Sequence, residues 1–504
     1  MTGKCVKPLA LDMGKDSTVT DQREKKLSRQ RTNKLSQHIC LVSPCVSAEF
    51  IQLFFLCLGQ SKCQNLNFHI AYAFLFNSIK EATMMFGCQQ ILINPDSSLK
   101  GILEYLCGES NKLHNCGVYL SRQLYFKTGK TPSKFDLHRE LKSNRHFQGM
   151  YSHVSQQCLT TVAESFKSYF GLLKGIQKGT VNQRPKIPNY RKPGLNLATF
   201  PGADVKLKPE GLRFPLGLQV KSWFGLDAFY LPMPLNLEYQ KIREYRILPR
   251  NGHFYLELVY KIESVQADVD FDKVLGIDPG LNNWLTCLSN VGTSFIIDGL
   301  HLKSLNQWYN KRVSVLKENK STGFWSKQLA GITEKRNRQV RDAVNKAARL
   351  VLNHCLEHKM GTVVFGWNKG QRQSINLGSK INQKFVQIPT GRLKDRIAQL
   401  CEQYGLRFVE TEESYTSKAS FLDLDILPVF GAKPEGWKES GKRVKRGLYR
   451  SKDGFRTNAD CNGAGNILRK VAAKLGFNLD GVSRGALIAP LKVRLWAVQE
   501  SPSL

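Results

Sequence analysis

The spacing of apolar residues changes along this chain, and each change marks an element. Cys88 to Ile93 suits a strand, and segments 100–128 and 135–142 read as helices. A longer helix spans about 147–173, where Val154, Cys158, Val162, Phe166, Tyr169 and Leu173 recur at helical spacing. A stripe of that kind forms the core of a helical bundle. Residues 195–263 alternate and turn often, and Asn251-Gly252 between two apolar runs is a hairpin signal. This stretch predicts a small β-barrel or sheet closing around the helical part.

The order of elements then becomes informative. Strands are predicted at 274–278, 283–289 and 293–298, followed by basic helices at 304–318 and 333–359. The second helix carries Val340, Val344, Ala347, Val351 and Cys355 on one face, with Thr333 as its N-cap. Next come a strand at 361–367 and a helix at 391–404 with Leu393, Ile397, Leu400 and Tyr404 inward. Gly405 suits the left-handed position after that helix. A strand at 406–412, a long insertion and a helix from about Ala459 complete the series. Three meandering strands, then helix, strand, helix, strand and helix, is the RNase H-like order of an α/β fold. Its active site is built from strand ends and the final helix.

Composition narrows the partners. The 504 residues are enough for two or three domains. Lys and Arg number 74 against 41 Asp and Glu, a formal net charge of +33 spread over most of the chain. A surplus that large marks a nucleic-acid partner. The thirteen cysteines are scattered without a C-x-x-C pair, so neither a disulfide framework nor a zinc ribbon is expected. The compartment is expected to be reducing and cytoplasmic. Apolar runs at 50–58 and 71–76 are too short to span a bilayer, so no membrane partner is expected.

Two stretches carry the chemistry: Val274-Leu275-Gly276-Ile277-Asp278-Pro279-Gly280 and Asn458-Ala459-Asp460-Cys461-Asn462-Gly463-Ala464. The first delivers an aspartate to the end of an apolar strand. The second presents one at the start of a helix. Alone, Asp278 is no more than a turn cap, and Asp460 no more than a carboxylate satisfied by a helix dipole. Paired in RNase H order, they are the corners of a two-metal phosphodiester-cutting site. Mg²⁺ or Mn²⁺ suits such hard oxygen ligands.

Two other patterns are set aside. Thr128-Gly129-Lys130-Thr131 resembles the end of a P-loop, but Leu124 stands where the first glycine belongs. His354 and His358 lie four apart, yet Cys355 replaces the glutamate of H-E-x-x-H. Neither supports ATP or zinc chemistry.

From Met85 to about Ala472 the chain resembles the TnpB family of transposon-encoded RNA-guided nucleases, relatives of the type V CRISPR effectors. The matching residues are Gly276-Ile277-Asp278-Pro279-Gly280, Glu413-Ser414-Tyr415-Thr416-Ser417-Lys418 and Asn458 to Ile467. The resemblance implies a RuvC-type nuclease domain over 266–472, with a recognition and wedge lobe over 84–265. That lobe would hold helices over 97–174 and a β-barrel over 195–263, and a C-terminal tail would cover 473–504. It also implies a guide RNA, and double-stranded target DNA read through a short flanking motif. The expected setting is bacterial and nucleoid-associated. Residues 1–83 carry no motif, and read either as an extension or as sequence upstream of a start at Met84 or Met85.

The chain departs from the family twice. The family's glutamate at the end of the fourth strand is replaced by Gly366 in Val363-Val364-Phe365-Gly366-Trp367-Asn368. Glu413 is the expected substitute, with Glu412 in reserve, because alternation should turn only one of them inward. If neither serves, the protein is a catalytically impaired RNA-guided DNA-binding protein, a repressor or transposition accessory. A guide-independent DNA-binding protein is a third reading. The second departure is the insertion 416–457, which holds no cysteine and many cations. Lys442, Arg443, Lys445, Arg446 and Arg450 are expected to meet phosphates there, with Trp437, Tyr449 and Phe455 stacking on bases. In the loop at 178–193, Arg184, Lys186, Tyr190, Arg191 and Lys192 are expected to do the same, or to form a solvated linker.

Overall fold

The structure is a computed structural model that describes residues 85–368 and 388–496. The extension or upstream segment 1–83 lies outside the described residues.

The N-terminal part of the described chain is a helical and β lobe. Strand β1 (Met85–Ile93) leads into helix α1 (Ser97–Thr128). Asp96 caps α1 by accepting from the Leu99 amide at 2.7 Å. Gly129 ends it with φ 70°, so the P-loop-like tetrapeptide is a helix terminus. Helices α2 (Lys134–Glu140), α3 (Arg145–Gln148) and α4 (Ser152–Gln177) follow. The α4 stripe Val154, Cys158, Val162 and Phe166 is buried against Leu103, Leu113 and Val118 of α1.

Strands β2 (Ala198–Pro201), β3 (Lys206–Lys208) and β4 (Gly211–Pro215) come next, then helix α5 (Leu218–Phe224) and strand β5 (Ala228–Leu231). Strands β6 (Ile242–Arg250) and β7 (His253–Ile262) form the hairpin expected at Asn251-Gly252, whose φ values are 50° and 74°. Two left-handed residues are what a two-residue hairpin turn needs. The strands make two antiparallel sheets, β1-β7-β6-β2 and β3-β4-β5. Their inner faces share Phe200, Phe214, Phe229 and Tyr245, with Phe214 and Phe229 stacked at 5.0 Å. Side chains close this unit; the two sheets do not join in one hydrogen-bonded ring.

The second part is a six-stranded sheet. Strands β8 (Asp270–Pro279), β9 (Asn283–Ser289) and β10 (Ser294–Asp298) form an antiparallel meander. Helices α6 (Leu300–Lys317) and α7 (Lys327–Glu357) lead to β11 (Met360–Gly366), which pairs parallel with β8. Helix α8 (Thr390–Tyr404) leads to β12 (Arg407–Thr411), parallel to β11. A small sheet of β13 (Lys442–Lys445), β14 (Leu448–Arg450) and β15 (Arg456–Asn458) precedes helix α9 (Ala459–Leu475). Helix α10 (Arg484–Ile488) and strand β16 (Leu491–Val493) follow. The sheet order is β12-β11-β8-β9-β10-β16. Its first five members are the RNase H-like arrangement, so the fold is α/β with an RNase H-like domain.

Alternation divides the core between two faces. Leu275, Ile277, Val363 and Phe365 pack against α7 and α8. Val274 and Val364 point the other way, onto Ile467, Leu468 and Val471 of α9. The two parts meet where buried Glu334 of α7 accepts hydrogen bonds from Tyr255 at 2.5 Å and Asn251 at 2.9 Å.

Two expectations need correction. Thr333 is not the N-cap of α7: the helix starts two turns earlier, with Ser326 accepting from the Leu329 amide, and Thr333 meets the Tyr309 hydroxyl instead. The segment after 472 is not a tail: α9 runs on to Leu475, and β16 extends the sheet by pairing with β10. Three-residue β16 has too few positions to show a period.

Candidate active site

The sheet brings the ends of neighbouring strands to one level. Phe365 pairs with Ile277, so Gly366 lies one step on, beside Asp278 at the end of β8. Gly366 in turn pairs with Thr411, the last residue of β12. The chain then leaves the strand through Glu412 and Glu413. Helix α9 crosses this edge with its N-terminus at Asp460.

These elements put Asp278, Glu413 and Asp460 together. Asp278 Oδ2 lies only 2.6 Å from where a Cβ on Gly463 would stand, so the glycine lets α9 approach the carboxylate. Glu413 Oε2 lies 3.4 Å from the corresponding position on Gly366. Burial, and then the negative charges of Glu413 and Asp460, hold the Asp278 carboxyl well above its ordinary range, with Arg443 opposing. A half-buried carboxylate repelled by two others is short of positive charge. Three hard oxygen donors are the set that Mg²⁺ or Mn²⁺ accepts.

Glu413 and Asp460 are each held by an asparagine to which the sequence reading gave no role. Asn368 does it twice for Glu413: its Oδ1 accepts from the Glu413 amide at 3.0 Å, and its Nδ2 donates to Oε1 at 3.3 Å. Asn283 donates to Asp460 Oδ2 at 2.7 Å. Arg443 donates to Asp460 Oδ1, also at 2.7 Å. Asn458 caps α9 by accepting from the Asp460 and Cys461 amides at 2.9 and 3.2 Å.

The Asn458 to Ile467 motif has a second task. Asn462 donates to the Ala419 carbonyl at 2.8 Å and accepts from the Phe421 amide at 2.9 Å. Asn466, one turn on, donates to the carbonyls of Thr416 and Ala419 at 2.9 and 2.8 Å. Both are buried. They fasten the stretch from Thr416 to Phe421 to α9, so the end of the second motif and the residues just after it are tied to the third.

Glu412 does not join the cluster. It ion-pairs with Lys470 of α9, a side chain only 7% exposed, through a very short contact. The separation of the two glutamates comes from these different partners, because β12 has already ended at Thr411.

The expected nucleic-acid residues fall in two places. Arg184, Lys186, Tyr190, Arg191 and Lys192 are exposed on a loop whose backbone is tied to α1. Asn111 donates to the Lys192 and Gly194 carbonyls, Asn115 pairs with the Arg191 backbone, and Arg122 donates to the Pro188 carbonyl. The loop's backbone is thus anchored along α1 while its cations stay exposed. In the insertion, Lys442, Lys445, Arg446 and Arg450 are exposed, while Arg443 turns to Asp460. One of the aromatic residues there differs from expectation. Tyr449 is buried and its hydroxyl donates to the Lys418 carbonyl at 2.7 Å. Trp437 donates to the Ile426 carbonyl, and Arg484 lies 4.4 Å over Phe455. Tyr449 thus serves the insertion's own core, not base stacking.

Fold and carboxylates together define the class: an RNase H-like domain with a three-carboxylate cluster at its strand ends. The family OrfB_IS605, described as "Probable transposase", matches residues 257–372. The CRISPR-associated endodeoxyribonuclease Cas12f1 of Sulfoacidibacillus thermotolerans is 22% identical over 43% of this chain. The chain spans half of that relative's length. "Putative transposase A625R" of Paramecium bursaria Chlorella virus 1 is 24% identical over 68% of this chain and 80% of its own. Among solved structures, a Cas12f1–sgRNA–target DNA complex aligns at 15% identity and TM-score 0.29, covering 76% of this chain and 98% of that one. The mini-RNA-guided endonuclease Cas_phi3 aligns at 11% identity and TM-score 0.36, covering 81% and 95%. The sequence matches support a TnpB-like family for this chain. Among the described residues, no helix is long and apolar enough to cross a membrane.

Proposed function

We propose that this chain is an RNA-guided DNA endonuclease encoded by a transposable element. Its transposase-family and Cas12-like relatives support the coarser statement, a TnpB-type transposon-associated nuclease. The observation that carries the finer reading is the meeting of Asp278, Glu413 and Asp460 at one sheet edge. These three would hold Mg²⁺ or Mn²⁺. Bound there, such ions supply a nucleophilic water and stabilise the leaving oxygen of a phosphodiester. The chain's own side chains do the rest. Asn368 orients Glu413 and Asn283 orients Asp460. Arg443 neutralises Asp460 in the free protein and is placed to meet a scissile phosphate when that ion pair opens. The loop at 184–192 and the exposed insertion cations would line the RNA and DNA backbones, with sequence read by guide pairing.

The test is cleavage of a plasmid target by the purified protein–RNA complex in Mg²⁺. Wild type should cut, and Asp278→Ala should bind the same target without cutting. RNA extracted from the preparation should begin in the element's own end and continue into the guide. Absence of RNA would favour the guide-independent binding protein.

Two observations favour a second reading. Gly366 lacks a carboxylate and Arg443 occupies Asp460 Oδ1. A complex that pairs with its target and never cuts would act as a repressor. It predicts equal binding and no cleavage by wild type and Asp278→Ala alike.

A further inference from the structure

The C-terminal turn of α7 carries a cluster that the carboxylate site does not use. His354, Glu357 and His358 each offer a ligand atom, all within 4.8 Å of one another. Their i, i+3, i+4 spacing puts them on one side of the helix. The turn is regular, since the His358 amide donates to the His354 carbonyl at 3.2 Å. The imidazoles lie 4.5 Å apart. The metalloprotease pattern H-E-x-x-H stays excluded, but Glu357 supplies a carboxylate from the other end of the same turn.

We propose that His354, Glu357 and His358 bind one divalent transition-metal ion, with Zn²⁺ the best match. Two imidazoles, which are borderline donors, and one carboxylate make a set that Zn²⁺ takes with a water completing the tetrahedron. Three further observations support the site. His354 is already oriented: its Nε2 meets Thr293 Oγ1 at 2.9 Å, which leaves Nδ1 for an ion, and Thr293 is in turn held by Ser289 at 2.7 Å. Outer partners of this kind fix the ring of a ligating histidine. The site sits at the C-terminus of a 31-residue helix, where the helix dipole favours a cation. The nearest basic residue in sequence, Lys359, is committed to Asp268 at 2.7 Å, and no lysine or arginine among the described residues pairs with Glu357.

The ion would have a structural role. Strand β11 starts just after this turn and ends at Gly366, beside the carboxylate cluster. Its seven residues separate the two sites by roughly 20 Å. A metal here would clip the end of α7, through His354 and Thr293, to the turn between β9 and β10.

The experiment is a Zn²⁺ titration of the full-length, chelator-stripped protein by calorimetry, in excess Mg²⁺ to saturate hard oxygen sites. Wild type should take up one Zn²⁺ per chain and gain thermal stability from it. His358→Gln should lose at least tenfold in Zn²⁺ affinity and show no such gain, with an unchanged melting temperature in the absence of zinc. Glu357→Gln, at an exposed position, should weaken binding without affecting folding. The proposal is overturned if wild type takes up no stoichiometric zinc, or if His358→Gln binds it as tightly as wild type.

Discussion

Glu413 Oε2 stands 3.4 Å from the point where a Cβ on Gly366 would be. The carboxylate that the resemblance places at the end of the fourth strand is absent there, and one from the loop after the fifth strand reaches the same spot. Position 366 is also closed from the other side, because a Cβ would come within 2.6 Å of Ile467 Cδ1. Glycine at 366 and glutamate at 413 are thus two halves of one arrangement. Gly366→Ala should cost about 1–3 kcal/mol by overpacking against Ile467, measured by chemical denaturation, while Glu413 stays at ordinary contact distance. Unchanged stability would mean that Ile467 yields freely.

Gly463 separates packing from chemistry more cleanly. A Cβ there would meet Asp278 Oδ2 at 2.6 Å, while alanine is the better helix former by about 1 kcal/mol. Gly463→Ala should therefore abolish cleavage with little or no loss of melting temperature. Activity within a few-fold of wild type would show that Asp278 can swing aside and still serve.

Glu412 is the internal control for Glu413. Its partner Lys470 is 7% exposed and would be left with a buried, unpaired charge. Glu412→Gln should cost about 1–3 kcal/mol of stability and leave the cleavage rate of the folded protein within a few-fold of wild type. A loss of cleavage as large as that of Asp278→Ala would move Glu412 into the site.

Arg443 competes for Asp460. Removing it in Arg443→Gln frees Oδ1, so the Mn²⁺ concentration for half-maximal binding should fall several-fold, read by calorimetry without DNA. Cleavage should fall as well, because the same guanidinium is placed to meet phosphate. If Mn²⁺ binding does not strengthen, the ion pair does not guard the cluster.

Acid should weaken the helical lobe through Glu109. Burial raises its pKa, but hydrogen bonds from Lys112 and His146, at 2.7 and 2.6 Å, outweigh it and the net shift is downward. A depressed folded pKa stabilises above the ordinary glutamate range and loses that contribution as pH falls through the folded value. The melting temperature of wild type should exceed that of Glu109→Gln at neutral pH, and the gap should close in acid. A gap independent of pH would assign the difference to packing.

Legibility in the sequence followed the range of the interactions. Strand β9 spans the 283–289 predicted, and Asn251-Gly252 and Gly405 take their expected left-handed conformations, because alternation and turn chemistry are local. Asp278, Glu413 and Asp460 were visible as motif residues. What holds them was not. Asn283 reaches Asp460 across 177 positions, and Asn368 reaches Glu413 across 45. No periodicity or spacing connects such pairs; only the sheet order does. Tyr449 misled for a related reason. An aromatic among cations reads as a stacking residue until its hydroxyl is seen bonded to Lys418 inside the insertion.

The most direct test of the account is plasmid cleavage by the Glu413→Gln complex beside wild type, with target binding measured on the same preparations. The account predicts that both bind equally, that wild type cuts in Mg²⁺ or Mn²⁺, and that Glu413→Gln cuts at least a hundredfold more slowly. Full-rate cutting by Glu413→Gln would contradict it, as would a wild type that binds its target and leaves it whole.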